Sequence, residues 1–399
     1  MLKGGGISQL RYSIPWHQIE RVQGTFDFDW IDGPLSYMRE HGMTPVVDLV
    51  HHTSFPDWLE EGFANAGFPQ LFVRFVGEFA SRYPWIYRYT VFNEPLATTL
   101  MCSSIGSWYP YRSSDRDFAA MAVNVARAIC MADQFLSRSN PAYESVYIDT
   151  CEHHQALDEA SRPWVEFANH RRWLLLDLTM GNVDEGHPLF SFVTDNGVAA
   201  EDLAWLKEHR AVPHLLGLDY YPHSEIEWAW SEKLRRADIV WPPENPRGFR
   251  VVAMDYVARY GLPVMLTETN IRGTIFDRIT WLRFMEEQCE HLLTAGVDLR
   301  GFCWYPSIDS TDWAHLCAKH TGDVDPQGIW CLDPDDGRWH RHDSELSEWY
   351  SRLAKGQASW RDLPAYSFLP PLDRDLAGYT KLMSHWEEWR DAPDAELAA

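Results

Sequence analysis

Two short stretches carry residue types that could do chemistry. Tyr89-Thr90-Val91-Phe92-Asn93-Glu94-Pro95 is a β-branched and aromatic run that ends abruptly in an amide, a carboxyl and a proline. Pro263-Val264-Met265-Leu266-Thr267-Glu268-Thr269-Asn270 has the same shape and delivers a second carboxyl, 174 residues after the first. Both read as buried strands with polar C-terminal tips, and in a parallel α/β barrel those tips are where reacting groups sit. Two carboxyls from separate tips are the minimum set for cleaving a glycosidic bond, one to move a proton and one to attack or to activate water. The plainer reading is that each glutamate caps a following helix, since acidic residues favour helix N-termini.

The elements that must position these groups alternate strand and helix, the pattern of a parallel α/β architecture. Strands are expected near residues 8, 45, 88, 146, 215, 264 and 301. Helices are expected over 29–42, 71–83, 118–136, 201–210, 248–260 and 277–295. Arg11 and Ser13 share one face of the first strand by its period of two. The second strand ends in His51-His52, whose side chains point to opposite faces, so that one of them reaches a pocket at the tip. Residues 96–114, with Trp108, Tyr109 and Tyr111, read as a long rim loop.

The motifs recur in an order that resembles family 1 glycoside hydrolases, the β-glucosidase-like members of the barrel clan of retaining glycosidases. Asn93-Glu94-Pro95 is similar to the acid/base motif of that family, and Thr267-Glu268-Thr269-Asn270 to its nucleophile motif. The resemblance implies a TIM (β/α)8 barrel and a retaining mechanism with Glu268 as nucleophile and Glu94 as acid/base. It also implies that Arg11 and Tyr221 support the nucleophile, that His51 contacts the sugar, as selected by Pro56-Asp57-Trp58-Leu59 behind it, and that Asn93 holds the 2-hydroxyl. Trp304, Asp312 and Trp313 fall on the glycone-binding segment. Two departures stand out: Asp219 replaces an asparagine, and Asp312 replaces a longer glutamate with one residue inserted before it. Asp309 and Asp312 together would repel a phosphate, which implies an unphosphorylated glycone.

Seven strands against the eight of a closed barrel leave the family's first strand, expected upstream of Ile7, unaccounted for. Either the chain begins downstream of its biological start or an unrecognised segment fills the place, and the reading favours the first. The barrel is expected over 1–355, and 356–399 reads as a wrapping extension too short for a domain of its own.

Composition narrows the partners. With 35 basic and 58 acidic residues the net charge is −23. Such a charge disfavours nucleic acid and anionic membranes. Twenty Trp and 17 Tyr exceed what one core needs and offer faces for sugar C–H groups. Seven cysteines, odd in number and without Cys-x-x-Cys spacing, argue against a disulfide framework or a zinc ribbon. Residues 1–6 contain no signal-peptide apolar region and no 18-residue apolar stretch is expected, so the provisional location is cytoplasmic. No cofactor or metal is called for, and the partner is a small-molecule or oligosaccharide β-glycoside. Cys151-Glu152-His153-His154 could be read as a metal site but is better placed at a strand tip. Three rivals remain open: a transglycosidase with the same covalent intermediate, a barrel that binds sugar without turnover, and, distantly, a metal-dependent hydrolase built on His51, Glu152 and His154.

Overall fold

The structure, a computed structural model, describes residues 1–241, 243–313, 321–335 and 338–364. The chain divides into two compact units, one of Ser8–Thr150 with Phe167–Gly217, the other of Met1–Ile7, Cys151–Glu166 and Leu218–Ala399.

In the first unit, strands β1 (Gln9–Ser13), β2 (Thr44–Asp48), β3 (Arg88–Thr90) and β4 (Glu144–Thr150) run parallel in chain order. Parallel neighbours need long crossovers. The Asp29–Glu40 helix joins β1 to β2, the Phe68–Arg82 helix joins β2 to β3, and helices Pro95–Ser103 and Asp115–Ser139 join β3 to β4. Phe68, Phe72, Phe75 and Phe79 recur at helical spacing and are wholly buried, which fixes the inward face of their helix. The Asp115–Ser139 helix contains an 18-residue window of mean hydropathy 1.2, contrary to the expectation of no such stretch. Its apolar residues, among them Met121, Val125 and Ile129, are buried within the protein, as in a core helix. The segment expected to be a loop after Glu94 begins as the Pro95–Ser103 helix. Pro95 at its first position is a local start signal, but the carboxyl that caps it, that of Asp149, lies 53 residues from Leu96.

Glu20 shows what holds this unit's rim. It is fully buried. It accepts from Trp16 Nε1 at 2.8 Å and from the Gly24 amide at 2.7 Å, and it pairs with Arg74, which also lies over the Phe26 and Trp58 rings. Removing the Glu20 carboxylate leaves the buried Trp16 N–H without its acceptor, while Arg74, 36% exposed, can turn to water. Glu20→Ala is therefore expected to destabilise the fold by about 2 kcal/mol, measured as a lowered urea midpoint, while Glu20→Gln, which keeps one acceptor, loses less.

In the second unit, β5 (His153–Ala156), β7 (Glu225–Ser231) and β8 (Arg236–Val240) form a three-stranded side sheet that sequence periodicity did not foretell. Glu225 and Glu227 of β7 are buried, and their carboxylates take up backbone N–H groups of Glu244, Asn245, Arg247 and Gly248. Inward carboxylates break the apolar alternation by which a strand is recognised. The end of β6 (Leu215–Asp219) meets β9 (Val264–Glu268), since the Tyr220 amide donates to Glu268 O at 2.9 Å. Strand β10 (Leu299–Phe302) lies parallel to β9. The Ile275–Thr294 helix between them starts at a Thr274–Asp277 capping box.

All seven strands expected from the sequence are present. β1 has β2 as its one sheet neighbour and β10 has β9, and no eighth strand joins them among the described residues. Residues 365–399, most of the expected wrapping extension, lie outside the described residues. The start of that extension docks on the Ile275–Thr294 helix through Trp360 and Arg361, both bound to Glu290.

Candidate active site

The first unit holds Asn93 and Glu94 at the tip of β3. Backbone bonds pin the β3 tip between its neighbours: the Asn93 amide donates to Val50 O at 2.9 Å and the Glu94 amide to Ile148 O at 3.0 Å. Glu94 adopts a left-handed backbone, φ 42° and ψ 61°, at the N-cap of the Pro95–Ser103 helix, yet its side chain makes no cap bond. The Asp149 carboxylate caps instead, accepting from the Leu96 amide at 3.2 and 3.1 Å. The plainer reading of Glu94 as a helix cap is thus excluded, and its buried carboxyl is left to other work.

Beside it Asn93 is wholly buried. Arg11 Nη2 donates to its Oδ1 at 2.5 Å. Arginine only donates, so this contact fixes which amide atom is oxygen and aims Nδ2 the other way. Nδ2 has no hydrogen-bond partner among the described residues. A fully buried donor without an acceptor is a costly arrangement, one that a ligand oxygen would satisfy.

The two histidines divide differently from the expectation that one alone matters. His51 Nδ1 lies 2.6 Å from Asp48 Oδ2, which also accepts from Ser13 Oγ at 3.0 Å. This carboxylate holds the N–H on Nδ1 and leaves Nε2 of His51 as an acceptor. His52, which the sequence reading set aside, has Nε2 3.7 Å from Glu94 Oε2 and Nδ1 3.1 Å from Thr98 Oγ1. Burial pushes its pKa well below the usual imidazole range, with the charges of His51 and Arg11 adding to the effect.

The second unit supplies a carboxylate centre. Glu268 ends β9, is buried, and accepts a 2.6 Å hydrogen bond from Tyr221 Oη on Oε2. No helix begins at Glu268, and the following helix has its own capping box, so helix capping is excluded here too. Tyr221 is held by a turn in which its amide donates to Ser224 Oγ at 2.9 Å, and its ring stacks on His223 with centroids 5.0 Å apart. Burial brings the pKa of His223 down to about 4, against the pull of Glu152, so a neutral ring lies against Tyr221. No sequence signal pointed to His223. Asp219, the departure from the family pattern, is wholly buried and accepts from Thr267 Oγ1 at 2.6 Å.

The segment that the resemblance assigns to glycone binding is committed to structure to a degree the sequence did not suggest. Trp304 is buried and its indole N–H is used on Gln327 O at 2.8 Å. Asp312 sits at φ 62°, and its Oδ1 accepts from the Thr321 amide and hydroxyl and from the Gly322 amide. The Trp313 amide donates to Asp325 at 2.7 Å. Asp309 corrects an expectation. It is buried against Arg278 at 2.9 Å and also accepts from the Gly328 and Leu332 amides, so it brings no net repulsion to a phosphate.

Nor is the 151–154 cluster laid out as a ligand set. His154 Nδ1 accepts from Trp228 Nε1 at 3.0 Å, which places the ring proton on Nε2, 3.1 Å from Glu152. Both nitrogens are occupied, one by Trp228 of the side sheet and one by Glu152. The six described cysteines are free thiols.

Comparison with known proteins points to glycosidases. Residues 12–136 match the family model described as Glycosyl hydrolase family 10. An 89-residue stretch, 20% of the chain, is 35% identical to aryl-phospho-β-D-glucosidase BglC of Bacillus subtilis and spans about a fifth of that protein. The fold is similar to that of β-glucosidase from Thermotoga maritima in complex with deoxynojirimycin, with a TM-score of 0.77 and 18% identity over 89% of this chain and 85% of that one. The same enzyme's complex with glucoimidazole gives a TM-score of 0.77 at 18% identity, covering 89% and 84%. The chain therefore has the TIM-barrel fold of these glycosidases and carries a glycoside-hydrolase sequence segment on it. The resemblance to family 1 is met at the level of glycosidase barrels, while the matching sequence family is family 10.

Proposed function

We propose that the chain is a retaining β-glycosidase acting on unphosphorylated, β-glucoside-like substrates, with the residue roles that the family 1 resemblance implies. The observation that carries this reading is that both strand-tip glutamates are buried and neither caps a helix. In the first step a Glu268 oxygen bonds to the anomeric carbon as the glycosidic C–O bond breaks, and Glu94 gives its proton to the departing oxygen. In the second, Glu94 takes a proton from water, the water oxygen bonds to the anomeric carbon, and the bond to Glu268 breaks. The Tyr221 hydroxyl holds Oε2 of Glu268 and so orients the carboxylate for attack. Asn93 Nδ2, without a partner among the described residues, is suited to the sugar 2-hydroxyl, a contact that strengthens in the transition state.

Two inversions restore the starting configuration, so the first-formed sugar should be the β-anomer, followed by proton NMR before mutarotation. An α-anomer appearing first would replace this mechanism with inversion. A phosphorylated glucoside is the second reading, favoured by the short similarity to the aryl-phospho-β-D-glucosidase. With Asp309 neutralised by Arg278, the charge argument against it rests on Asp312 and the net charge of −23. The expected result is that 4-nitrophenyl β-glucoside is turned over faster than its 6-phosphate; the reverse order would favour the second reading.

A further inference from the structure

His52 stands at the start of the loop after β2 with φ 48°, in the left-handed region that non-glycine residues rarely enter. Glu94, its neighbour across the site, is held in the same region at φ 42°. A turn that merely needed this backbone would be served by glycine or asparagine. Here the strained conformation instead directs an imidazole at a carboxyl, and such outliers concentrate where geometry serves function. The ring is boxed in by Trp108, with centroids 4.8 Å apart, and by His51, at 4.4 Å.

The Thr98 hydroxyl anchors the ring: its Oγ1 lies 3.1 Å from His52 Nδ1 and 3.4 Å from Asn93 O. The other ring nitrogen, Nε2, faces Glu94 Oε2 at 3.7 Å. That separation is longer than a hydrogen bond, but catalytic contacts are often long before substrate binds and tighten in the complex.

We infer that His52 is a positioning residue for Glu94: in the substrate complex its Nε2 closes onto Oε2 and fixes the carboxyl so that Oε1 faces the glycosidic oxygen. No proton leaves His52. The Thr98 hydroxyl, on the first turn of the helix that follows Glu94, anchors the far side of the ring. This inference rests on the reading of Glu94 as the acid/base.

The test compares His52→Asn, which tolerates the left-handed backbone but is too short to reach, His52→Ala, and His52→Gln, whose terminal amide can replace Nε2 as donor or acceptor. Each is made alone and together with Glu94→Ala, with folding followed by thermal midpoint. Against an alkyl β-glucoside, which needs protonation to depart, His52→Asn and His52→Ala should lower kcat/KM by about 100-fold, the scale on which an ångström of misplacement is felt. Against 2,4-dinitrophenyl β-glucoside the loss should be small, and His52→Gln should recover most of the alkyl activity. With 4-nitrophenyl β-glucoside in the Glu94→Ala background, removing His52 should add nothing, because the group it acts through is gone. Equal losses on all leaving groups, or a full further loss in the Glu94→Ala background, would overturn the inference and assign His52 to sugar binding or to the fold. If Glu94→Ala by itself left the alkyl substrate untouched, the reading of Glu94 would fail first, a distinguishable result.

Discussion

Glu268→Ala should abolish formation of a glycosyl-enzyme and lower kcat by on the order of 10⁵- to 10⁶-fold, the scale seen when a covalent nucleophile is removed. The residue is buried at the end of β9 with its Oε2 on the Tyr221 hydroxyl. Alanine leaves that hydroxyl and the strand backbone in place, so the loss should appear in kcat with the thermal midpoint little changed. Azide offers a stereochemical readout. With no carboxylate on the α-face, azide can attack the β-glycoside there directly, and an activated substrate should give the α-glycosyl azide. A β-azide from this variant would mean that another group is the nucleophile and would reassign Glu268.

Glu94→Ala should behave in the opposite way. A 2,4-dinitrophenolate leaves without protonation, so bond cleavage should persist, while alkyl glucosides lose about 10²- to 10⁴-fold, the usual share of general acid catalysis. Breakdown of the covalent intermediate then lacks its base, and steady-state turnover of the activated substrate should be preceded by a burst. Azide needs no base, so it should accelerate turnover and yield the β-glycosyl azide. Because Asp149 rather than Glu94 caps the following helix, the substitution should not unfold the Pro95–Ser103 segment. A uniform loss on all leaving groups, without azide rescue, would reduce Glu94 to a structural residue.

Strands such as Thr44–Asp48 and Val264–Glu268 were legible because a parallel sheet buries both faces, so its strands read as continuous apolar runs with polar tips. The glutamates stood out for the same reason. What was hidden depended on partners distant in sequence. The Pro95–Ser103 helix is capped by Asp149 from another strand, so its start looked like a loop. The side sheet was hidden because Glu225 and Glu227 point inward, satisfied by amides of residues 244–248. Asp309 looked like a ligand-facing carboxylate until Arg278 was found beside it. His52 was set aside on the argument that adjacent strand residues face apart. By residue 52, however, the chain has left β2 and turned left-handed, and strand alternation no longer applies.

The most direct test of the central claim is the intact mass of the protein after incubation with a 2-deoxy-2-fluoro-β-glucoside carrying an activated leaving group. The fluorine slows both steps and the good leaving group restores the first, so a covalent intermediate accumulates. Addition of one fluoroglucosyl group, mapped by peptide digestion to Glu268 and absent from Glu268→Ala, is the predicted result. Turnover of the parent glucoside with no adduct on any residue, or an adduct on a residue other than Glu268, would contradict the mechanism proposed for this chain.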